Sequence, residues 1–232
     1  MLGGTKGWDH AMPHQADILK VEPVTHDVRR FTLRKPQGYR FEPGQATLVS
    51  IDRPEWQKKK RPFTFTSLND WPDLEFTTKI YPDHHGVTEQ LGTLEAGDRL
   101  LIEDPWGTIQ YKGPGTFIAG GAGVTPFIAI LRQLARDGEL AGNTLLFSNK
   151  TARDIILRDE FEAMRGLRCV FTVTHEPDPT LETRRIDRAF LDDHVADFAQ
   201  HFYVCGPKQM VADLKAHLQA LGARPDAVVF EQ

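Results

Sequence analysis

The sequence predicts a six-stranded antiparallel β-barrel followed by an α/β domain built on a parallel sheet. Three observations carry this reading. Residues 15 to about 112 hold six short β-like runs, separated by turn signals and interrupted by one helical stretch. From residue 116 apolar strand-like runs alternate with helical ones, the pattern of a parallel sheet covered by helices on both faces. Between the halves lies YKGPG, residues 111–115, a Gly/Pro break. The expected domains are therefore residues 1–112 and 113–232, with residues 1–14 patternless and read as a flexible arm.

The barrel strands, in order, are ADILKVEPV (16–24), VRRFTLR (28–34), ATLVSI (46–51), PFTFTS (62–67), LEFTTKIY (74–81) and DRLLIEDP (98–105). In the fourth, Phe63 and Phe65 alternate with Thr64 and Thr66, the period of two that separates a dry face from a wet one. Turn residues stand between the runs at Pro36–Gly38, Pro43–Gly44, Asn69–Asp70 and Gly97–Asp98. The helical interruption is GVTEQLGTL (86–94).

In the second half the strands are TFIAG (116–120), TLLFS (144–148), CVFTVTH (169–175) and FYVCG (202–206), with AVVFE (227–231) closing the chain. The helices are TPFIAILRQLARDG (125–138), DIILRDEFEAM (154–164), DRAFLDDHV (187–195) and KQMVADLKAHLQALG (208–222).

Composition excludes several classes. The chain has 232 residues, 40% hydrophobic and 26% charged, ordinary for a globular protein with a sizeable core. A net charge of −4 argues against a general affinity for nucleic acid. The apolar runs are too short to span a membrane, and MLGGTKGWDHAMPH lacks the apolar stretch of a signal peptide. Cys169 and Cys205 form no CxxC, which argues against an iron–sulfur or zinc site and fits the reducing cytoplasm. The histidines show no HExxH spacing, His84–His85 reads as a solvated loop, and no metal site is expected.

Four stretches could carry chemistry. In FIAGGAGVTPFIAIL (117–131) a buried strand runs through small residues Gly120 to Gly123 into a helix, with Thr125 as N-cap and Pro126 in the first turn. Glycines let a phosphate approach the backbone, and the helix N-terminus offers N–H groups and a positive dipole end. A tight turn that needs glycine only for packing would look the same. Gly86, Val87 and Thr88 open a helix that is odd inside a barrel and suits either a second phosphate or a barrel cap.

FYVCGPKQMV (202–211) puts Cys205, Gly206 and Pro207 at a strand's carboxyl end, where open parallel sheets bind ligands; a buried cysteine without chemistry is the plain alternative. SNKTARDIILRDEF (148–161) follows the second strand, where hydroxyl and basic groups select an adenosine 2′-phosphate. Ser148, Lys150 and Arg153 are such groups, unless they form only a solvated helix start.

With these stretches in order, the chain from about residue 15 to 232 resembles the ferredoxin–NADP reductase family, in its compact form without an iron–sulfur domain. Its flavin strand, R-x-[YF]-[ST]-x-x-S, is matched by Arg61, Phe63, Thr64 and Ser67. Gly86, Val87 and Thr88 match its G-x-x-[ST] helix start. Gly121, Gly123, Val124, Thr125 and Pro126 match its dinucleotide turn, and Cys205, Gly206 and Pro207 its C-G-P turn.

The resemblance implies a barrel that binds FAD, with FMN the less favoured flavin, and an α/β domain that binds NADP or NAD. Arg61 would pair with the flavin pyrophosphate, Pro62 and Phe63 would pack along the flavin, and Thr64 would stand near its N5. Cys205 would lie by the nicotinamide. The tail would supply Phe230 to stack on the ring and Glu231 as an acid, so the catalytic set is Thr64, Cys205 and Glu231. Thr64 replaces the family's usual serine and Phe63 its frequent tyrosine.

The implied function is a cytoplasmic, monomeric NAD(P)H oxidoreductase. It would pass electrons through flavin to an acidic ferredoxin or flavodoxin or to an oxygenase component. A non-catalytic redox-sensor module is the alternative. QKKKR (57–61) reads as a loop ahead of the flavin strand, either a solvated loop or a basic docking patch for such a carrier.

Overall fold

The structure is a computed structural model that describes residues 12–83, 85–107 and 109–224, and the backbone of 228–230. The first half is an antiparallel sheet of β1 (His14–Pro23), β2 (Val28–Arg34), β3 (Gln45–Ile51), β4 (Arg61–Thr64), β5 (Asp73–Lys79) and β6 (Arg99–Ile102), in the order β4-β3-β6-β1-β2-β5. A short seventh strand, β7 (Trp106–Gly107), pairs with β3. The sheet curls almost into a closed barrel. The Thr66 N–H, just past β4, donates to the Glu75 carbonyl on β5 at 2.9 Å, across the gap between the edge strands.

The alternation read in the sequence explains the barrel core. Ile18, Phe31, Leu33, Val49, Phe65, Phe76, Leu100 and Ile102 all point inward and are buried. Phe65 stacks on Phe41 with ring centroids 4.2 Å apart. Helix α1 (Val87–Leu91) buries Val87 and Leu91 in this same core.

The second half is an all-parallel sheet of β8 (Gly115–Gly120), β9 (Thr144–Asn149), β10 (Arg168–Val173), β11 (Glu182–Thr183), β12 (His201–Cys205) and β13 (Val228–Phe230). Its order is β11-β10-β9-β8-β12-β13. Helices α2 (Thr125–Asp137), α3 (Arg158–Ala163), α4 (Arg188–His194) and α5 (Lys208–Ala220) connect the strands. Both faces are covered, so the strands read as continuous apolar runs rather than alternating ones. Phe117 and Ala119 of β8 pack with α2 on one face, while Ile118 between them packs with α4 and α5 on the other.

The chain leaves β8 to build β9 on one side and returns to place β12 on the other. This makes the gap between the β8 and β12 carboxyl ends the topological switch point, where such sheets hold ligands.

Three local features differ from the sequence reading. The helix expected from Asp154 begins only at Arg158. A Thr151–Asp154 capping box closes a single tight turn, Ile155 is extended, Ile156 turns into the core beside it, and Leu157 takes a left-handed conformation (φ 54°) before α3. Thr125 is the first residue of α2 and not its cap, because Gly121–Val124 form a 3₁₀ turn leading in; its hydroxyl donates back to the Ala122 carbonyl. The fourth strand is shorter than PFTFTS, since Phe65 to Ser67 bend toward β5. Of the expected arm, residues 1–11 lie outside the described residues, and β1 starts at His14.

Candidate functional site

The main cavity, about 670 Å³, lies at the switch point. Gly120 to Gly123 form one wall, Cys205 to Pro207 another, and Ser148, Asn149, Lys150 and Asp154 a third. Val28, Lys79 and Tyr81 of the barrel close it, so both domains line the same crevice.

Glycine is required here on two grounds. Gly121 has φ +52°, in the left-handed region, and a Cβ there would meet nothing within 4 Å, so its bare backbone faces open space. At Gly123 a Cβ would stand 2.5 Å from the Cys205 carbonyl oxygen and 2.6 Å from the Gly206 nitrogen, so only glycine lets the two turns meet. No side chain caps α2; the 3₁₀ turn leads straight into it, and the Thr125 N–H donates to the Ala122 carbonyl.

Ser148, Lys150, Cys205, Gly206 and Pro207 thus converge with Gly121 and Gly123. Val124 and Pro126 are buried behind that wall and shape it without lining it. Arg153 lines a different cleft, between the β1–β2 turn and α3, together with Arg30 and Arg158.

Asn149 was not singled out from the sequence. It is 5% exposed and lines the crevice, yet neither its Nδ2 nor its Oδ1 has a hydrogen-bond partner among the described residues. A buried amide left unpaired costs about 1–3 kcal/mol, which makes Asn149 a candidate polar contact in the crevice wall. Only the fold, not the local sequence, shows this orphaned amide.

The second site lies along β4. Arg61 is exposed, donates to the neighbouring Lys60 carbonyl at 2.8 Å, and makes no ion pair among the described residues. Pro62 is exposed, and Phe63 is half-buried beside Phe76. Thr64 is 5% exposed, and its hydroxyl has no hydrogen-bond partner among the described residues. Ser67 is buried, and its hydroxyl accepts the Glu75 N–H at 2.9 Å, a contact that holds the strand end. Gly86 precedes α1 with no side-chain cap, so Val87 and Thr88 stand in an open first turn.

Of the tail residues, Phe230 lies in β13, where only its backbone is described, and Glu231 lies outside the described residues. In QKKKR, Lys60 is tied to Glu103 and Lys59 lies 3.9 Å from the Trp56 ring centroid, so two of the three lysines are already engaged.

Charge at the domain junction is balanced locally. Asp27 pairs with Lys79 at 2.6 Å and accepts the Thr25 hydroxyl at 3.0 Å, and these partners hold its carboxyl below the ordinary value against the opposing effect of burial. His26 reaches both Asp27 and Asp154 at 3.6 Å. Among the described residues this is the one grouping with metal-ligand spacing. Lys79 and Thr25 already occupy Asp27, and Thr151 occupies Asp154.

Comparison with known proteins agrees with this layout. Residues 15–111 match the oxidoreductase FAD-binding domain and residues 117–216 the oxidoreductase NAD-binding domain. The reductase component of propane 2-monooxygenase from Rhodococcus jostii is 26% identical over 233 residues, covering 93% of this chain and 62% of that protein. NADH-cytochrome b5 reductase 1 of Bos taurus is also 26% identical, covering 91% of this chain and 83% of that protein. A ferredoxin NADP⁺ reductase from Neisseria gonorrhoeae, solved with FAD and NADP, superposes with a TM-score of 0.82 at 21% identity, over 95% of this chain and 98% of that one.

The two matched domains, in this order and on this fold, define a flavin- and dinucleotide-binding oxidoreductase module. The chain belongs to the ferredoxin–NADP reductase-like family. It spans only 62% of the length of the propane monooxygenase relative. Among the described residues no helix is long and apolar enough to cross a membrane.

Proposed function

We propose that this chain is a flavin-dependent NAD(P)H reductase that passes electrons to a separate ferredoxin- or flavodoxin-type carrier or to an oxygenase component. The observation that carries the reading is the shared crevice. Barrel residues Val28, Lys79 and Tyr81 and dinucleotide-domain residues Gly121, Gly123 and Cys205 line one cavity.

The residues present fit both cofactors. Arg61 offers an unpaired guanidinium to the flavin pyrophosphate, and a charge-assisted contact of that kind is short and directional. Thr64 holds an unpartnered hydroxyl where the resemblance puts flavin N5. The Gly121–Val124 turn presents bare backbone to the dinucleotide phosphates, and the Asn149 amide gains the polar partner it lacks.

When bound, the flavin takes a hydride from the nicotinamide and releases electrons one at a time. The chain's residues set position and exclude water. Cys205, 2% exposed at the crevice wall, leaves the nicotinamide little room to drift. FAD is favoured over FMN because the open first turn at Gly86–Thr88 suits the second phosphate of a dinucleotide flavin.

NADPH is the proposed donor. Ser148 and Lys150 line the crevice and make no side-chain hydrogen bond or ion pair among the described residues. The nearby acid, Asp154, also lines the crevice, with one carboxylate oxygen held by Thr151 in the capping box. Comparing kcat/KM for NADPH and NADH tests this, and a preference for NADH would remove the specificity role of Ser148 and Lys150. The carrier reading is supported by relatives that are reductase components of oxygenase systems.

A further inference from the structure

Arg132, on α2, is a buried cation at the junction of the two domains. Its side chain is 9% exposed. Nη1 donates to Glu75 Oε1 on β5 at 2.7 Å and to the Thr66 carbonyl at 2.7 Å. Nε and Nη2 grip Glu160 of α3 at 2.5 and 2.9 Å. The guanidinium also lies 5.3 Å from the centre of the Trp71 ring.

Around it, Glu75 accepts the Thr66 hydroxyl at 2.7 Å and pairs with Arg30 at 3.6 Å. Burial works against the charged form, but the Glu160 hydrogen bond and the Glu75 charge outweigh it and hold the guanidinium protonated.

Such a cluster is a poor way to gain stability, because desolvating buried charges offsets most of their attraction. It does fix direction: a planar fork addresses its carboxylate and carbonyl partners along set lines. Those lines join two places that matter here. Thr66 lies two residues beyond Thr64 on the flavin strand. Arg132 lies about two turns along the helix that starts at the Gly121–Thr125 turn. One helix and one strand end therefore connect the Gly121–Thr125 turn to the Thr64 hydroxyl.

We propose, on the reductase reading given above, that Arg132 is a positioning residue. Clasped to Thr66, Glu75 and Glu160, it sets the spacing between the dinucleotide crevice and the Thr64 strand. Hydride transfer needs reacting atoms about 3–3.5 Å apart, and a shift near 1 Å costs on the order of a hundredfold. The clasp acts on the rate of transfer and not on either binding step.

The test compares flavin-loaded wild type with Arg132→Lys, which keeps the charge and loses the fork. A charge-balanced double variant, Arg132→Met with Glu160→Gln, leaves Glu75 paired with Arg30 and serves if the lysine variant does not fold. Anaerobic stopped-flow over a range of NADPH concentrations separates the limiting rate of flavin reduction from apparent dinucleotide affinity. The expected result is a limiting rate lowered on the order of tenfold to a hundredfold, with affinity and flavin content changed less than about twofold.

A second readout uses flavin-free protein: amide exchange across residues 64–67 should quicken in the variant while that of the β8 strand does not. An unchanged limiting rate, or a loss confined to flavin content and affinity, overturns the positioning role. Wild type that NADPH and NADH both fail to reduce overturns the reductase reading itself. The exchange result then decides separately whether Arg132 orders the strand end.

Discussion

Arg61, which lacks an ionic partner, and Thr64, which lacks a hydrogen-bond partner among the described residues, carry the flavin-site proposal. Arg61 has no acid to neutralise it among the described residues, and Thr64, on the strand face opposite the core residue Phe65, keeps its hydroxyl unused. Arg61→Ala should therefore cost flavin affinity and spare the fold. A charge-assisted contact of about 1.5–3 kcal/mol corresponds to tenfold or more in Kd, read by flavin release on dilution with circular dichroism as the fold control.

Asn149→Leu separates the orphan amide from mere packing. It should weaken dinucleotide binding by about fivefold to a hundredfold, as loss of one or two hydrogen bonds requires, while raising or preserving stability in urea, because an unpaired buried amide is removed. Lower stability with unchanged binding would make Asn149 a packing residue. Cys205→Ala should slow anaerobic flavin reduction more than it changes dinucleotide affinity, since Cys205 lines the crevice with its side chain buried.

The elements that were legible in the sequence are those whose causes are local. The alternation Phe63-Thr64-Phe65-Thr66 specifies a strand that sends Phe65 into the core, although Thr64 and Thr66, expected on a wet face, are buried too; four small residues between an apolar strand and Pro126 specify a turn into a helix. The late start of α3 was not legible, because Asp154 spends its carboxylate on the Thr151 N–H at 2.8 Å and so ends a turn where helix periodicity continues. Arg153 was read as a neighbour of Ser148 and Lys150, but that extra turn carries it to another cleft.

The β1–β2 turn makes a pH prediction at this scale. The folded pKa of Asp27 is depressed, so its contribution is full above its unfolded value near 4 and is lost as pH falls through the lower folded value. The stability difference between wild type and Asp27→Asn, from urea unfolding, should be larger at pH 5 than at pH 3. An equal difference at both would mean that the Lys79 contact adds nothing in solution.

At the scale of the whole molecule, the two domains are joined by contacts that no local pattern announces. Arg132 reaches Thr66 across 66 residues of sequence and Glu75 across 57, which is why neither appeared among residues chosen by motif. The barrel also meets the second domain at Gly44, whose φ is +89°. A Cβ there would fall 2.0 Å from the Ile109 carbonyl oxygen and 3.1 Å from Ile130 Cδ1 of α2. Gly44→Ala should therefore destabilise by about 1–3 kcal/mol or more, since both backbone strain and overpacking act together, as urea unfolding would show.

The shared crevice makes the central claim testable in one spectrum. The purified protein, reconstituted with FAD and held without oxygen, should be yellow and should bleach within seconds of adding NADPH, and more slowly with NADH. A protein that takes up no flavin, or whose flavin absorbance persists with both dinucleotides, would contradict the assignment of the barrel and the crevice to one reaction.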